Sequence, residues 1–124
     1  MDLIEEYLNN IAGMKLSLDD YGDKEKVRKR NRLANRSRKI AAVIEQKHPE
    51  LKGRFLCLIE ADDEDIRAWA AHHVLEVMSY DHPDRKQALR VIADIAKHSA
   101  DSLQRSGNAM WLKEYYEKHP EDIE

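Results

Sequence analysis

All three prolines of this 124-residue chain lie in one tripeptide pattern: a histidine, the proline and an acid. The copies are His48-Pro49-Glu50, His82-Pro83-Asp84 and His119-Pro120-Glu121. Proline suits the first position of a helix, where its missing N–H is no loss, and an acid beside it complements the positive helix end. The prolines therefore predict helix boundaries. The intervals of 34 and 37 residues between them match one helical pair with its turns.

The composition favours helices between these boundaries. Only four glycines occur, Ala, Leu, Glu, Lys and Arg dominate, and strand-like alternation is absent. Apolar periodicity predicts six helices over about 2–12, 22–47, 50–61, 63–79, 84–98 and 100–118. We expect the first to end near Gly13, the second to break near Asn31 or Asn35, and the sixth to break at Gly107-Asn108. The chain is thus predicted to be a single all-α domain over 1–124.

The segment ADDEDIRAWAAHHVLEV, residues 61–77, resembles a HEAT or armadillo-like repeat unit. An acidic turn precedes Asp65 and Arg67, and the small pair Ala70-Ala71 follows. The resemblance implies a short HEAT-like stack of antiparallel helix pairs, an α-α superhelix of five or six helices. It also implies that Asp65 and Arg67 form a ladder within and between repeats. By extension, the chain is similar to small stand-alone bacterial HEAT-like proteins, some of which are toxin-immunity proteins.

The sequence gives no sign of export or of a membrane span. Its N-terminus is acidic, without the basic and apolar regions of a secretion signal, and no apolar run reaches 18 residues. The single cysteine, Cys57, lies in an apolar run where it suits a helix core, and it has no second thiol for a disulfide. These features favour a cytoplasmic protein that makes no membrane contact.

The adjacent residues His72 and His73 are the first candidates for a metal or catalytic site. Neighbouring helix residues point about 100° apart, and neither histidine has a second histidine four residues on, so the spacing disfavours a metal site. His72 falls on a stripe with Ala68 and Glu76 that is predicted to face solvent. His73 falls beside Trp69 and is predicted to be half-buried, so we expect Trp69 and His73 to be structural.

The acidic run at residues 60–65 has two interpretations. Acids at a helix start are stabilising, and Asp62 or Asp63 is a natural N-cap that accepts from the N–H of Asp65 or Ile66. The surplus acids could instead form a patch that engages a basic protein surface. The candidate partner-binding residues in and after this run are Glu60, Asp62, Asp63, Glu64, His72 and Glu76.

Residues 24–47 carry ten Lys or Arg and two Glu, a local charge of +8 in a chain whose net charge is −3. A row of cations recurs every four residues along one helical face and continues near its end: Lys24, Arg28, Arg32, Arg36 and Lys39. It could be a solvated face, a site for nucleic acid or phosphate, or a site for an acidic protein. The pI of about 6.1 and the lack of aromatics in the row argue against nucleic acid.

No short catalytic or metal-binding motif occurs, so we expect no enzymatic activity, cofactor or metal. The function that these features favour is a non-enzymatic protein-binding module. The resemblance narrows this to an immunity-type inhibitor that neutralises a cognate toxin or enzyme. The alternative is a nucleic-acid-binding helical protein that uses the basic face of residues 24–39.

Overall fold

The computed structural model of the protein describes residues 2–16 and 22–123, and every regular element in these ranges is helical. This confirms the all-α prediction and the number of helical segments. The α-helices are α1 Leu3–Leu16, α2 Lys24–Lys47, α3 Lys52–Leu56, α4 Glu64–Glu76, α5 His82–His98 and α6 Ser102–Lys118. Three short 3₁₀ turns lie at Pro49–Leu51, Cys57–Glu60 and Pro120–Asp122.

The helices stack as three successive pairs, α1 with α2, α3 with α4 and α5 with α6, and α4 lies in the middle. α1 runs antiparallel to α2, because Glu6 near the start of α1 pairs with Arg36 in α2 at 3.0 Å. α5 runs antiparallel to α6, because Arg85 near its start donates to the hydroxyl of Tyr115 near the end of α6.

α4 packs on α1 and α5 and on the short helical segment that precedes it. The start of α4 contacts the end of α1 through Lys15 and Asp65 and the end of α5 through Ser99 and Glu64, so α4 is antiparallel to both. As a result α2, α4 and α6 lie side by side and point in the same direction.

One apolar core joins these pairs. Its fully buried members come from α1, α2, α3, α4 and α5 and from the turn after α3: Tyr7, Ile40, Ile44, Phe55, Ile59, Val74 and Ile92. Burying each side chain of this size contributes about 1.5–3 kcal/mol. Ala70 and Ala71 are completely buried, so α4 can approach its neighbours closely on two sides. The core therefore fixes α4 as the central helix.

Three predicted interruptions inside helices are absent from the structure. α1 continues past Gly13 to Leu16, and a Cβ at Gly13 would lie 2.9 Å from Cδ1 of Leu33. This glycine allows α1 to approach α2 closely and does not end the helix. α2 runs without a break through Asn31 and Asn35, and α6 runs without a break through Gly107.

Other helix boundaries also differ from the prediction. The expected helix over 50–61 is a short α-helix between two 3₁₀ turns, and Cys57 in its second half is exposed rather than in the core. α4 ends at Glu76, three residues early, and α5 begins at His82, two residues early. The helical content was predicted well, while the ends were not.

Two of the three His-Pro-acid motifs adopt the same conformation. His48 caps the end of α2 with φ −134° and ψ 57°, and His119 caps the end of α6 with φ −131° and ψ 63°. In both, proline then begins a 3₁₀ turn. The motif His82-Pro83-Asp84 differs, because His82 is the first residue of α5. The first and third helix pairs therefore end in equivalent turns.

Candidate functional site

A groove runs along the face where α2, α4 and α6 lie side by side. α4 forms its floor, and α2 and α6 form its walls. Three adjoining cavities of about 340, 440 and 400 Å³ make up the groove. The residues shared where neighbouring cavities meet are Ala34, Arg38, Trp69, Glu76 and Gln104. The groove is thus continuous along α4, from Asp65 in its first turn to Glu76 in its last.

His72 lies in the floor of this groove with one ring nitrogen engaged. Its Nε2 is 2.7 Å from Oδ1 of Asn108, whose amide nitrogen donates to the backbone and side-chain oxygens of Gln104. Because an amide oxygen only accepts, Nε2 of His72 carries the proton. Burial lowers the pKa of His72, although Asn108 and Glu76 act in the opposite direction. The ring is therefore neutral at about pH 7, and its Nδ1 is an acceptor.

The predicted position of His72 on a solvent-facing stripe is wrong. Ala68 of that stripe is buried, and the side chain of His72 is only 20% exposed. α6 covers this side of α4, and Trp111 lies edge-on to the His72 ring with centroids 4.5 Å apart. His72 is nevertheless accessible from the groove, which it lines together with Trp69.

His73 is a core histidine held by α1. It is 3% exposed, and its Nδ1 forms a hydrogen bond of 2.7 Å with the hydroxyl of Tyr7. Burial, with the nearby charge of Arg38 and that of His72 when His72 is protonated, lowers the pKa of His73 to about 4. Burial also holds the pKa of Tyr7 well above its ordinary value, so this hydroxyl keeps its proton. The two adjacent histidines thus face different helices and have different partners.

Ion pairs link the helices along the groove. At one end, the ammonium of Lys15 in α1 lies 3.4 Å from Asp63 and 3.5 Å from Asp65. Asp65 also accepts from the side-chain amide of Gln104 in α6 at 3.4 Å. At the other end, Glu76 lies 3.6 Å from the guanidinium of Arg38 in α2. Charges of both signs therefore line the groove.

Most of the acidic run is used to hold the fold together. Asp63 caps α4 by accepting from the N–H groups of Asp65 at 2.8 Å and Ile66 at 3.2 Å, as expected from the sequence. Although burial acts in the opposite direction, these N–H groups and Lys15 lower the pKa of Asp63. Glu64 accepts from the hydroxyl of Ser99 at 2.9 Å.

Two residues of the run remain exposed. Glu60 accepts from the amide of Gln87, and Asp62 uses its backbone carbonyl to accept from Arg67 at 2.8 Å. Neither lines the groove. The acidic patch available to a partner is therefore smaller than the sequence pattern indicates.

Arg67 does not pair with Asp65 but closes the turn before α4. Its guanidinium donates to the carbonyl of Ala61 at 2.9 Å as well as to that of Asp62. Arg105 repeats this arrangement at the start of α6, where it donates to the carbonyl of Ser99 at 2.6 Å. Each arginine lies four residues after a capping aspartate, Asp63 or Asp101. The two segments thus repeat one arrangement, in which a capping aspartate is followed four residues later by an arginine that closes the preceding turn.

The basic row predicted on α2 lies on its outer edge, beside the groove rather than in it. Arg36 binds Glu6 of α1 through two hydrogen bonds of 3.1 and 3.0 Å, and Arg28 pairs with Glu25 at 2.9 Å. The other three members of the row, Lys24, Arg32 and Lys39, are exposed. Within the described ranges, none of these three forms an ion pair. We refer to Lys24, Arg28, Arg32 and Lys39 as the basic rim.

Sequence reasoning missed the residues of α2 that do line the groove. These are Arg30, Asn31, Ala34, Asn35 and Arg38. They lie at helical spacings of three and four and form the stripe next to the predicted row. The signal was present, but a stripe of mixed amides, alanine and arginine is less conspicuous than a row of cations.

A second polar cluster lies where the start of α5 meets the end of α6, and two of its members, Tyr115 and His119, line the last cavity of the groove. Asp122 is 1% exposed, accepts from the hydroxyl of Tyr115 at 2.6 Å, and pairs with the guanidinium of Arg85. Among the described residues, one group of possible metal ligands occurs here, formed by His119, Glu121 and Asp122. One oxygen of Asp122 already binds Arg85 and Tyr115. The cluster therefore anchors the 3₁₀ turn at Pro120–Asp122 to α5 and α6.

No helix in the described part of the chain is long and apolar enough to cross a membrane. Comparisons of the chain with protein-family models, with curated proteins and with solved structures found no match.

Proposed function

We propose that this chain is a non-enzymatic protein-binding module that holds an extended segment of a partner protein in the groove. The observation that carries the proposal is the continuity of the groove, with aromatic residues in its floor and hydrogen-bonding groups on both sides. Tryptophan and arginine are the residue types that most often dominate binding at protein interfaces. Trp69, Trp111 and Arg38 bring both types to this surface.

The size of the groove suits a short peptide. α4 has 13 residues, so its axis is about 20 Å long. An extended chain advances about 3.3 Å per residue, and roughly six residues would span this length. Nδ1 of His72 and the carboxylate of Glu76 are acceptors for backbone N–H groups. The amide of Asn35 and the guanidinium of Arg38 are donors for backbone carbonyls.

The charge beside the groove favours an acidic partner. The basic rim adds Lys24, Arg32 and Lys39 next to one wall, whereas most acids of the run at 60–65 are engaged within the fold. Complementary charge speeds association and favours partners of the opposite sign. We therefore expect acidic residues on one flank of the bound segment. The immunity-type inhibitor implied by the sequence resemblance is the narrower form of this proposal, with a toxin or enzyme as the partner.

A display library of random dodecapeptides, panned against the wild-type protein, tests the proposal directly. We expect the selected peptides to combine an aromatic residue with acidic residues. Their binding should fall at least about tenfold in Trp69→Ala and in Arg38→Glu, which corresponds to about 1.4 kcal/mol. Lys47→Glu is the matched control for Arg38→Glu, because Lys47 is an exposed cation at the far end of the same helix.

Peptides that bind all three variants as tightly as the wild type would show that the groove is not the binding surface. The narrower form has its own test, which is coexpression with a toxic protein encoded beside this chain. Rescue of growth by the wild type and its loss in Ala34→Glu would support inhibition through the groove. Rescue that survives Ala34→Glu would contradict it.

The basic rim favours a second candidate, a nucleic-acid-binding protein. Its four cations lie on one exposed helical face, so a polyanion could contact them together. Four phosphate contacts predict that log affinity falls with log salt at a slope of about −3 to −4 on duplex DNA. A gel-shift titration with duplex DNA at low salt measures this slope. The absence of any shift there would remove this candidate and leave the groove proposal untouched.

A further inference from the structure

Two of the three His-Pro-acid motifs meet at one place in the fold, where the start of α5 lies against the end of α6. His82 comes from the motif at the start of α5, and His119 and Glu121 come from the motif that follows α6. The next residue, Asp122, is 1% exposed and contacts both. Folding therefore brings two imidazoles and two carboxylates together, although the two histidines are 37 residues apart in the chain.

The distances within this cluster are those expected between ligands of one metal ion. Nδ1 of His119 lies 3.3 Å from Oε1 of Glu121, and Nδ1 of His82 lies 3.6 Å from Oδ1 of Asp122. One ligand atom each of His119, Glu121 and Asp122 lies within 4.8 Å of the other two. Zinc binds nitrogen and oxygen at about 2.0–2.2 Å in a tetrahedron, which places neighbouring ligand atoms about 3.4 Å apart. The imidazole of His82 is half-exposed, so rotation of its side chain can bring it to the same ion.

The buried carboxylate of Asp122 is held in an orientation that suits a ligand. Its Oδ2 accepts from the hydroxyl of Tyr115 at 2.6 Å and pairs with the guanidinium of Arg85. These anchoring contacts use Oδ2, whereas Oδ1 is the oxygen that lies 3.6 Å from His82. Residues that do not touch the ion commonly orient metal-binding carboxylates in this way, through hydrogen bonds to the second oxygen.

The first His-Pro-acid motif shows what is special about this cluster. His48 has nearly the same backbone conformation as His119, and its Nδ1 lies 3.2 Å from Oε1 of Glu50. The residue after Glu50 is Leu51, however, where the last motif has Asp122. Within the described ranges, no group of possible metal ligands forms around the first motif. The conformation of the motif thus accounts for a pair of histidine and glutamate, but not for the buried acid and the second imidazole.

We propose that one divalent transition-metal ion binds at this cluster through four ligands: His82, His119, Glu121 and Asp122. Imidazole nitrogens favour an ion such as Zn²⁺ over Mg²⁺ or Ca²⁺, which prefer oxygen ligands alone. Four protein ligands fill a tetrahedron, as in a structural zinc site. The expectation of no metal was based on the lack of a short motif, and it did not consider ligands that only the tertiary structure brings together.

The ion would join the start of α5 to the turn that follows α6. It would therefore stabilise the third helix pair at the end where Asp122 already connects the two helices. Because Tyr115 and His119 line the last cavity of the groove, the ion would also fix the groove wall there. All four ligands belong to this chain, so the site forms whether or not the groove holds a partner.

Isothermal titration calorimetry with Zn²⁺, on the whole protein after dialysis against a chelator, tests the site. We expect one ion per chain and a rise of several degrees in the unfolding temperature when Zn²⁺ is in excess. Mg²⁺ at the same concentration should not displace the Zn²⁺. Neither binding heat nor a rise in unfolding temperature at up to about 100 μM Zn²⁺ would overturn the proposal. Displacement by Mg²⁺ would do so too, because it would indicate binding by carboxylates alone.

Variants in the two equivalent motifs locate the ion. His119→Asn and Glu121→Gln each remove a ligand and should weaken Zn²⁺ binding at least about tenfold. His48→Asn and Glu50→Gln are the matched controls, because the first motif has the same conformation and the same short pair. We expect both controls to bind Zn²⁺ as the wild type does, and thermal melting without metal checks that every variant folds. Unchanged binding in the first two variants, or equal losses in all four, would contradict the site.

Cobalt gives a readout of the ligands themselves. Co²⁺ bound to the wild type should show visible absorption bands of the strength typical of four-coordinate cobalt. His82→Ala should weaken these bands, since it replaces a ring nitrogen with water. His98→Ala removes an exposed histidine at the other end of α5 and should leave the bands unchanged. Weak bands typical of six-coordinate cobalt in the wild type would rule out the tetrahedral site, and an unchanged spectrum in His82→Ala would rule out His82 as a ligand.

Discussion

The start of α4 and the outer face of α2 carry the two strongest charge patterns of the chain, yet the fold uses them differently. At the start of α4, Asp63 caps the helix, Asp65 joins Lys15 to Gln104, and Glu64 binds Ser99. On α2, the exposed cations Lys24, Arg32 and Lys39 extend away from the fold. A charge pattern in a sequence therefore does not by itself show which charges are available to a partner.

The difference has a physical cause in helix geometry. The first turn of a helix presents unpaired N–H groups and a partial positive charge, so acids placed there find donors in their own backbone. Cations in the middle of a helix have no such local partner and depend on a neighbouring element. α2 is an outer helix whose main contact is α1, and of the basic row only Arg36 pairs with a described acid of α1, which is Glu6.

The largest predicted effect is a loss of stability at low pH, and it comes from His73, a buried polar residue of α4. The ordinary pKa of histidine is about 6.5, and in the folded protein the pKa of His73 is about 4. Between these values the unfolded chain binds more protons, so stability present above about pH 6.5 is lost as the pH falls towards 4. Going from about pH 7.5 to about pH 5 should cost about 2 kcal/mol through this group. Urea unfolding at both pH values measures the loss.

His73→Gln provides the comparison, because its amide can still form a hydrogen bond with Tyr7 and it has no titrating ring. We expect its free energy of unfolding to fall by about 2 kcal/mol less than that of the wild type over the same pH interval. An equal fall in the two proteins would mean that His73 is not held neutral by the core.

The next largest effect is a difference in stability between removing an acid that bonds within the fold and removing an exposed acid. Asp63→Ala removes the cap of α4 and a partner of Lys15, and it should destabilise the protein by about 1 kcal/mol. Asp62→Ala, one residue earlier, removes an exposed carboxylate and should change stability by less than about 0.5 kcal/mol. Thermal or urea unfolding of both variants checks the difference. Equal losses of stability in the two variants would mean that capping by Asp63 does not stabilise α4.

The smallest effect is predicted on the basic rim. Lys24→Gln and Arg32→Gln remove like charges from one helical face, so stability should stay level or rise by a few tenths of a kcal/mol. Arg36→Gln, which breaks the pair with Glu6, should lower stability by up to about 1 kcal/mol. Unfolding in low salt gives the sharpest measurement, since salt screens exposed charges. A clear loss of stability in Lys24→Gln would show that the rim has a role within the fold.

The fold class could be predicted because composition and apolar periodicity act locally. The positions at which the helices end could not be predicted, because tertiary contacts decide them. Gly13 and Gly107 look like helix breakers in the sequence, but one allows close contact with Leu33 and the other lies exposed in an uninterrupted helix. Leu103 and Met110 of α6 are exposed, because no further helix of the described chain packs on that face.

The candidate site was harder to predict because a groove is formed by elements distant in sequence. A cap at Asp62 or Asp63 and a half-buried, structural His73 were predicted from the α4 pattern alone; the structure selects Asp63 and buries His73 more deeply. The contacts of His72 with Asn108 and Trp111 could not be predicted, since they depend on where α6 lies. The groove-lining stripe of α2, with Asn35 and Arg38, becomes recognisable only when α4 lies beside it.

The carboxylate of Asp65 reaches both Lys15 at the end of α1 and Gln104 at the start of α6. One short side chain thus ties the first helix pair to the third across the second. Asp65→Ala would remove both contacts at this end of the groove and leave the pair of Arg38 with Glu76 at its other end in place.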